Sequence, residues 1–102
     1  MINRLKVIGL TKPPKFALGQ TVITINARHE LTDFDITYAM NRFIDGDWGL
    51  CCEEDKQAND EGLSTVNPDR LLAVYETANG TPFWIITEYD RSVTTVLMPS
   101  DY

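Results

Sequence analysis

The apolar positions change period along the chain. From residue 70 onward they recur every second residue: RLLAVYET (70–77) and TPFWIITEYD (81–90) flank Ala78-Asn79-Gly80, and SVTTVLM (92–98) follows the polar turn Tyr89-Asp90-Arg91. Asn-Gly supplies the positive φ angles of a tight hairpin, so three strands at this spacing predict an antiparallel meander. Pro82 is tolerated because it opens its strand. The unbroken run Phe83-Trp84-Ile85-Ile86 marks the central strand, covered by helices on one side and partly on the other. Trp84 and Ile86 are expected to alternate with Phe83 and Ile85 across it, with at least one pair fully buried.

The first half reads differently. KFALGQTVITI (15–25) is rich in β-branched residues and predicts a strand, with Leu18-Gly19-Gln20 as a bend or bulge at its start. Thr32 with Asp35 three residues on resembles a capping box. Phe34, Ile36, Met40, Phe43 and Ile44 then fall mostly on one stripe, which predicts a helix over 33–44, ended by Gly46. A short acidic helix is expected over 51–62. Glu53, Glu54 and Asp55 suit its first turn, where unpaired N–H groups and the dipole favour anions. Its inward face is thin, mainly Cys52, Ala58 and Leu63, so it is expected on the surface with Trp48 as its anchor. The whole predicts an α+β fold: a four-stranded, mainly antiparallel sheet, made of one N-terminal strand and the C-terminal three-stranded meander, with two helices packed on it. Pro13-Pro14 separates a basic N-terminal segment, 1–15, from a single domain, 16–102.

Charge is unevenly placed. The chain has 102 residues and a net charge of -6. Residues 1–44 carry six basic and three acidic side chains, whereas residues 45–61 carry seven acids against Lys56 alone. That segment would repel a polyanion, so direct nucleic-acid binding is not expected. Arg4, Lys6, Lys12 and Lys15 offer contact to an acidic partner or serve only as solvating charges. The length allows one small domain, and an apolar fraction of 43% argues against disorder. No apolar run approaches a membrane span and the first residues lack a signal-peptide pattern, which makes a cytoplasmic protein without membrane contact the expectation.

Little of the sequence suggests catalysis. Cys51 and Cys52 are adjacent, so a disulfide between them would be strained and free thiols are expected. They also cannot both turn to one zinc ion, so no metal and no cofactor is expected. The sole histidine, His29, has no cysteine near it in sequence for a nucleophile pair. No phosphate-cradling glycine loop or nucleophile elbow occurs. Two constellations remain. One is the acidic segment, with Asp47, Trp48, Glu53, Glu54, Asp55 and Asp60 as candidate partner-binding residues or as parts of a solvated helix pinned by one indole. The other is the turn bearing Glu88, Asp90, Arg91 and Ser92, which either binds a ligand or braces the turn. Arg91 is expected to pair with a carboxylate, near Asp90 or in the 45–60 segment.

The blocks GDWG (46–49), EEDKQAND (53–60), RLLAVY (70–75) and WIITEYDRSVTTVLMPSDY (84–102) resemble a family of small bacterial proteins found on plasmids, phages and other mobile elements. The resemblance covers roughly residues 16–102. Family labels include "plasmid-related protein" and "type I restriction endonuclease subunit M". The second does not fit, because a methyltransferase subunit requires cofactor-binding and target-recognition domains for which this chain has no room. The resemblance implies no established activity. The expected function is therefore a non-catalytic protein-interaction module of a mobile genetic element, modulating a host or defence protein through the acidic helix and Trp48. The alternative is a small ligand-binding protein or enzyme working at the 87–94 turn.

Overall fold

The structure is a computed structural model that describes residues 2–102. It is α+β. In chain order it has β1 (Ile2–Arg4), β2 (Gln20–Thr24), α1 (Ile25–Glu30), α2 (Asp33–Ile44), α3 (Glu53–Gly62), β3 (Leu71–Glu76), β4 (Pro82–Thr87) and β5 (Val93–Leu97), followed by a single 3-10 turn, Pro99–Asp101. The five strands form one sheet in the order β1-β2-β5-β4-β3.

The meander forms as expected, with β3 antiparallel to β4 and β4 antiparallel to β5. Two features depart from the four-stranded antiparallel expectation. β2 pairs β5 in parallel, so the sheet is mixed, and β1 adds a fifth strand antiparallel to β2. The central position is consequently held by β5 rather than by β4. β1 escaped notice because Ile2-Asn3-Arg4 is too short to show an alternation.

One row of side chains shows how the core is built. Ala73, Ile85, Val96 and Ile23 stand opposite one another across four strands, and all are at most 1% exposed. Across this face lie Ile36, Ala39, Met40, Phe43 and Ile44 of α2. The capping box of α2 forms as expected: Asp35 N–H donates to Thr32 Oγ1 at 3.1 Å and Thr32 N–H to Asp35 Oδ2 at 2.9 Å. Phe34 is the exception to the stripe. It points to solvent, 74% exposed, because its position falls off the arc of α2 that carries Ile36, Ala39, Met40 and Phe43 to the sheet. Phe83 and Ile85 face α2, and Ile86 is buried on the opposite face beside half-buried Trp84.

β2 is shorter than the expected strand 15–25. It ends at Thr24, whose hydroxyl accepts from Ala27 N–H at 3.1 Å and so starts α1, a third helix beyond the two expected, which takes Ile25 out of the expected strand. Residues 15–19 are irregular. Gly19 has φ 64° and lies so close to the β4–β5 turn that a Cβ there would sit 2.3 Å from Ser92 O. The next row of the sheet is polar and sealed: Thr87 and Thr94 are 0% exposed with hydroxyls 2.7 Å apart. Thr94 gives its proton to Leu18 O at 2.7 Å, so Thr87 is the donor within the pair.

Residues 2–15 pack on the rest of the fold. Leu5 is 6% exposed in the core. Beyond it the chain is laced to α2: Thr11 N–H donates to Asn41 Oδ1, Asn41 Nδ2 to Gly9 O, and Lys15 N–H to Ile44 O.

Candidate functional site

The stretch DGDWGLCC (45–52) proves to be the cover of a sheet edge. β3 is the last strand, and an edge strand exposes a row of backbone groups that invites pairing by another chain. Here Val74 N–H donates to Trp48 O at 3.3 Å and Leu50 N–H to Val74 O at 2.7 Å, a parallel bridge centred on Gly49. Gly49 has φ 71°, and a Cβ on it would lie 2.0 Å from Val74 O, so glycine is the residue that permits the approach. One step along the edge, the side chain of Asn59 takes over. Its Nδ2 donates to Leu72 O at 2.8 Å and its Oδ1 accepts from Leu72 N–H at 3.1 Å, so one amide does the work of a neighbouring strand.

Trp48 is the hinge of this cover and is 2% exposed. Its ring meets Phe43 edge-on at 5.6 Å between centroids, and Phe16 packs against it at 6.1 Å. Its indole N–H donates to Asp60 Oδ1 at 2.9 Å, which fastens α3 to the core. Trp48 is thus an anchor, as expected, but it is removed from any contact face. Asp47 is likewise occupied. Its carboxylate accepts from Arg42 Nε at 2.9 Å and from Gly49 N–H at 3.1 Å, and Arg42 holds its pKa below the usual carboxylate range. Tyr75 O–H donates to Asp47 O at 2.7 Å, and burial pushes the Tyr75 phenol far above its ordinary pKa.

α3 begins at Glu53, two residues later than expected, with Cys52 as an N-cap that makes no side-chain bond. Its buried positions are Asn59 and Gly62; of the three residues expected to face inward, Leu63 packs half-buried against the core, whereas Cys52 and Ala58 are exposed. The reason is that α3 packs on a strand edge, where a hydrogen-bonding amide serves better than an aliphatic side chain. Glu53, Glu54 and Asp55 are exposed in the first turn. Among the described residues only Glu53 of these three meets a cation, Lys56 at 3.8 Å. The six acidic-segment candidates therefore divide. Asp47, Trp48 and Asp60 hold the edge cover, whereas Glu53, Glu54 and Asp55 face solvent.

The second constellation is internally satisfied. Asp90 Oδ1 accepts from Ser92 N–H at 3.0 Å and from Ser92 Oγ at 2.6 Å, which lowers the Asp90 pKa. Glu88 is engaged by Arg70 at 3.5 Å. Arg91 has φ 59°, and among the described residues it pairs with no carboxylate, which corrects the expectation. Its guanidinium instead donates to three carbonyls: Gly62 O at 2.6 Å, Asp69 O at 2.7 Å and Glu88 O at 3.2 Å. The cause is local. Gly62 ends α3, and the carbonyls of a helix's last turn lack intrahelical partners and carry the negative end of its dipole. Arg91 does tie the meander to the acidic helix, through the helix's end rather than its acids.

Cys51 is buried with Sγ 3.4 Å from Leu72 O, and burial raises its thiol pKa; Cys52 is exposed, and both are free thiols. Such a buried thiol is a poor nucleophile. His29 lies exposed in the last turn of α1. Among the described residues no cluster of three or more His, Cys, Asp or Glu is placed to hold a metal ion, and no helix is long and apolar enough to cross a membrane. No family model, no curated protein and no solved structure matches the chain.

Sequence reasoning missed two things. Asn59 gave no signal beyond being a poor helix former in mid-helix. The other is a groove between residues 4–8 and the first turns of α2, with a volume of about 460 Å³. Its rim holds Arg4, Lys6, Arg28 and the exposed ring of Phe34. The basic side chains were visible as composition, but only the fold brings Arg28 and Phe34 beside Arg4 and Lys6.

Proposed function

We propose that the protein is a non-catalytic protein-interaction module, of the mobile-element kind that its motif blocks resemble, and that it modulates a host or defence protein through the exposed face of α3. The observation that supports this reading is the division of the acids. Those with structural work, Asp47 and Asp60, are tied to Arg42, Gly49 and Trp48. Glu53, Glu54 and Asp55 have no such work and form the first turn of a helix whose second half is fastened to the rest of the fold, by Asn59 at Leu72, by Asp60 at Trp48 and by Arg91 at Gly62 O. A rigid array of like charges costs no ordering on binding and steers a basic partner surface toward it.

The test is a pull-down from the native bacterial host with the wild type and with Glu53→Gln/Glu54→Gln/Asp55→Asn, at low and moderate salt. The reading expects a stoichiometric protein partner that the triple variant loses while its melting curve stays near that of the wild type. A partner retained by the variant excludes this face. A small molecule carried through purification instead would favour ligand binding at the 87–94 turn, whose polar groups are already spent on one another.

A further inference from the structure

The two edges of the sheet are treated oppositely. β3 is covered by the 48–50 bridge and by Asn59, whereas β1 is the terminal strand on the other side. In the antiparallel β1–β2 ladder Leu5 N–H donates to Thr21 O at 2.9 Å. Because hydrogen-bonded and non-bonded residues alternate in such a ladder, the backbone groups of Arg4 and Lys6 face away from β2. Alongside this edge runs the 460 Å³ groove, with Leu5, Val7 and Ile36 in its floor and Ile8 and Phe34 on its rim, 67% and 74% exposed. The groove's charge runs against that of the chain. Arg4, Lys6 and Arg28 stand there against one acid, Asp33, which Arg28 approaches only to 3.9 Å. Among the described residues neither Arg4 nor Lys6 has an ion-pair partner.

We propose that this edge and groove form a docking site for an extended peptide segment of a partner protein, acidic with interleaved aliphatic residues, which adds to β1 as a sixth strand. Strand addition draws affinity from the backbone of the edge and specificity from alternate side chains. Alternation gives this peptide its pattern: carboxylates on one face meet Arg4, Lys6 and Arg28, and aliphatic side chains on the other enter the groove between Val7, Ile36 and Phe34. The same basic residues select against other occupants. A second copy pairing β1 to β1 would set Arg4 and Lys6 against themselves, which is how short charged edges discourage self-association. Nucleic acid would be repelled by a chain of net charge -6.

A fluorescein-labelled hexapeptide alternating Glu with Ile and Val is the probe, titrated by fluorescence anisotropy against the full chain, with its Lys-for-Glu counterpart as control. Saturable binding by the acidic peptide alone is expected, weakened about ten-fold or more by Arg4→Glu or Lys6→Glu, single charge reversals at exposed positions. N-methylation of alternate peptide nitrogens should abolish it, because strand addition needs those donors. Amide shifts in an NMR titration should map to residues 4–8 and 34–37. Equal binding of the basic peptide, indifference to Arg4→Glu and Lys6→Glu, tolerance of N-methylation, or shifts confined to α3 would each overturn the proposal. So would binding of a poly-dT oligonucleotide at the same residues, or concentration-dependent dimerisation that Lys6→Glu promotes. This site is independent of the acidic face: the variant neutralised at Glu53, Glu54 and Asp55 should titrate like the wild type, so either reading can fail alone.

Discussion

Replacing Asn59 tests the claim that a side-chain amide stands in for a strand. Asn59 is 5% exposed and makes two hydrogen bonds to Leu72, one in each direction. In Asn59→Ala the Leu72 N–H loses its partner, and Leu72 O keeps only the weak contact from Cys51 Sγ at 3.4 Å. A lost hydrogen bond costs about 1 kcal/mol, and a buried group left unpaired costs about 1 to 3 kcal/mol more, so a total near 2 to 4 kcal/mol is expected. For a domain of this size that is a fall in Tm of roughly 10 to 20 °C. Asn59→Asp separates hydrogen bonding from packing. The ionised carboxylate still accepts from Leu72 N–H but opposes Leu72 O, so its folded-state pKa lies above the unfolded value near 3.9. The penalty is then full near neutral pH and fades as pH falls through that raised folded value, since the protonated acid donates to Leu72 O. Thermal melts of both variants and the wild type at about pH 7 and about pH 4 read this directly, with each variant compared with the wild type at the same pH. An Asn59→Ala variant within about 0.5 kcal/mol of the wild type, or an Asn59→Asp deficit that does not shrink in acid, would refute the edge-cover argument.

Three further outcomes follow from the same geometry. Gly49→Ala, whose Cβ would fall 2.0 Å from Val74 O, should cost about 3 kcal/mol or more in a denaturant melt, and a neutral result would show that the bridge is dispensable. Arg91→Ala should cost about 1 to 3 kcal/mol, because Asp69 O loses its donor while Gly62 O and Glu88 O each keep only a backbone N–H, with Arg91→Lys recovering only part because a single ammonium cannot span the three carbonyls; equal stability of both with the wild type would remove the clamp. Asp101 accepts from Thr24 Oγ1, Met98 N–H and Asn26 Nδ2, of which the Thr24 bond is the main cause of its lowered pKa. Its contribution is therefore present above the usual carboxylate pKa and lost as pH falls through the depressed folded value, and the gap between the wild type and Asp101→Ala should close in acid.

What the sequence disclosed was what repeats locally. The period-two runs of the meander, the Thr32–Asp35 box and the Gly46 stop all lie where the pattern put them. What it concealed depends on residues meeting across long separations. The parallel pairing of β2 with β5 joins Gln20 to Val93, and no local pattern specifies the direction of such a pair. Phe34 carries the right residue type for the buried stripe but falls outside the arc that α2 turns to the sheet. Arg91 was read as seeking a carboxylate because helix-terminal carbonyls are invisible in a string of side chains.

The acidic segment shows why composition alone misassigns a site. Seven acids in seventeen residues look like one feature, yet the fold gives them separate tasks. Asp47 orders a loop by holding Gly49 N–H and Arg42, and Asp60 receives an indole that would otherwise be a buried unpaired donor. Asp45 meets Lys12 and Lys15 of the N-terminal stretch at 3.5 and 3.9 Å. Removing any of these changes the fold's own bonds, so a loss of binding in such a variant says nothing about a partner. Glu53, Glu54 and Asp55 are different: neutralising them leaves every hydrogen bond of the edge cover in place, and the helix loses only salt-screened dipole interactions and the exposed Glu53–Lys56 pair. A variant set restricted to those three is therefore the one in which binding and stability separate, and if binding and Tm fall together there, the division between structural and free acids is wrong.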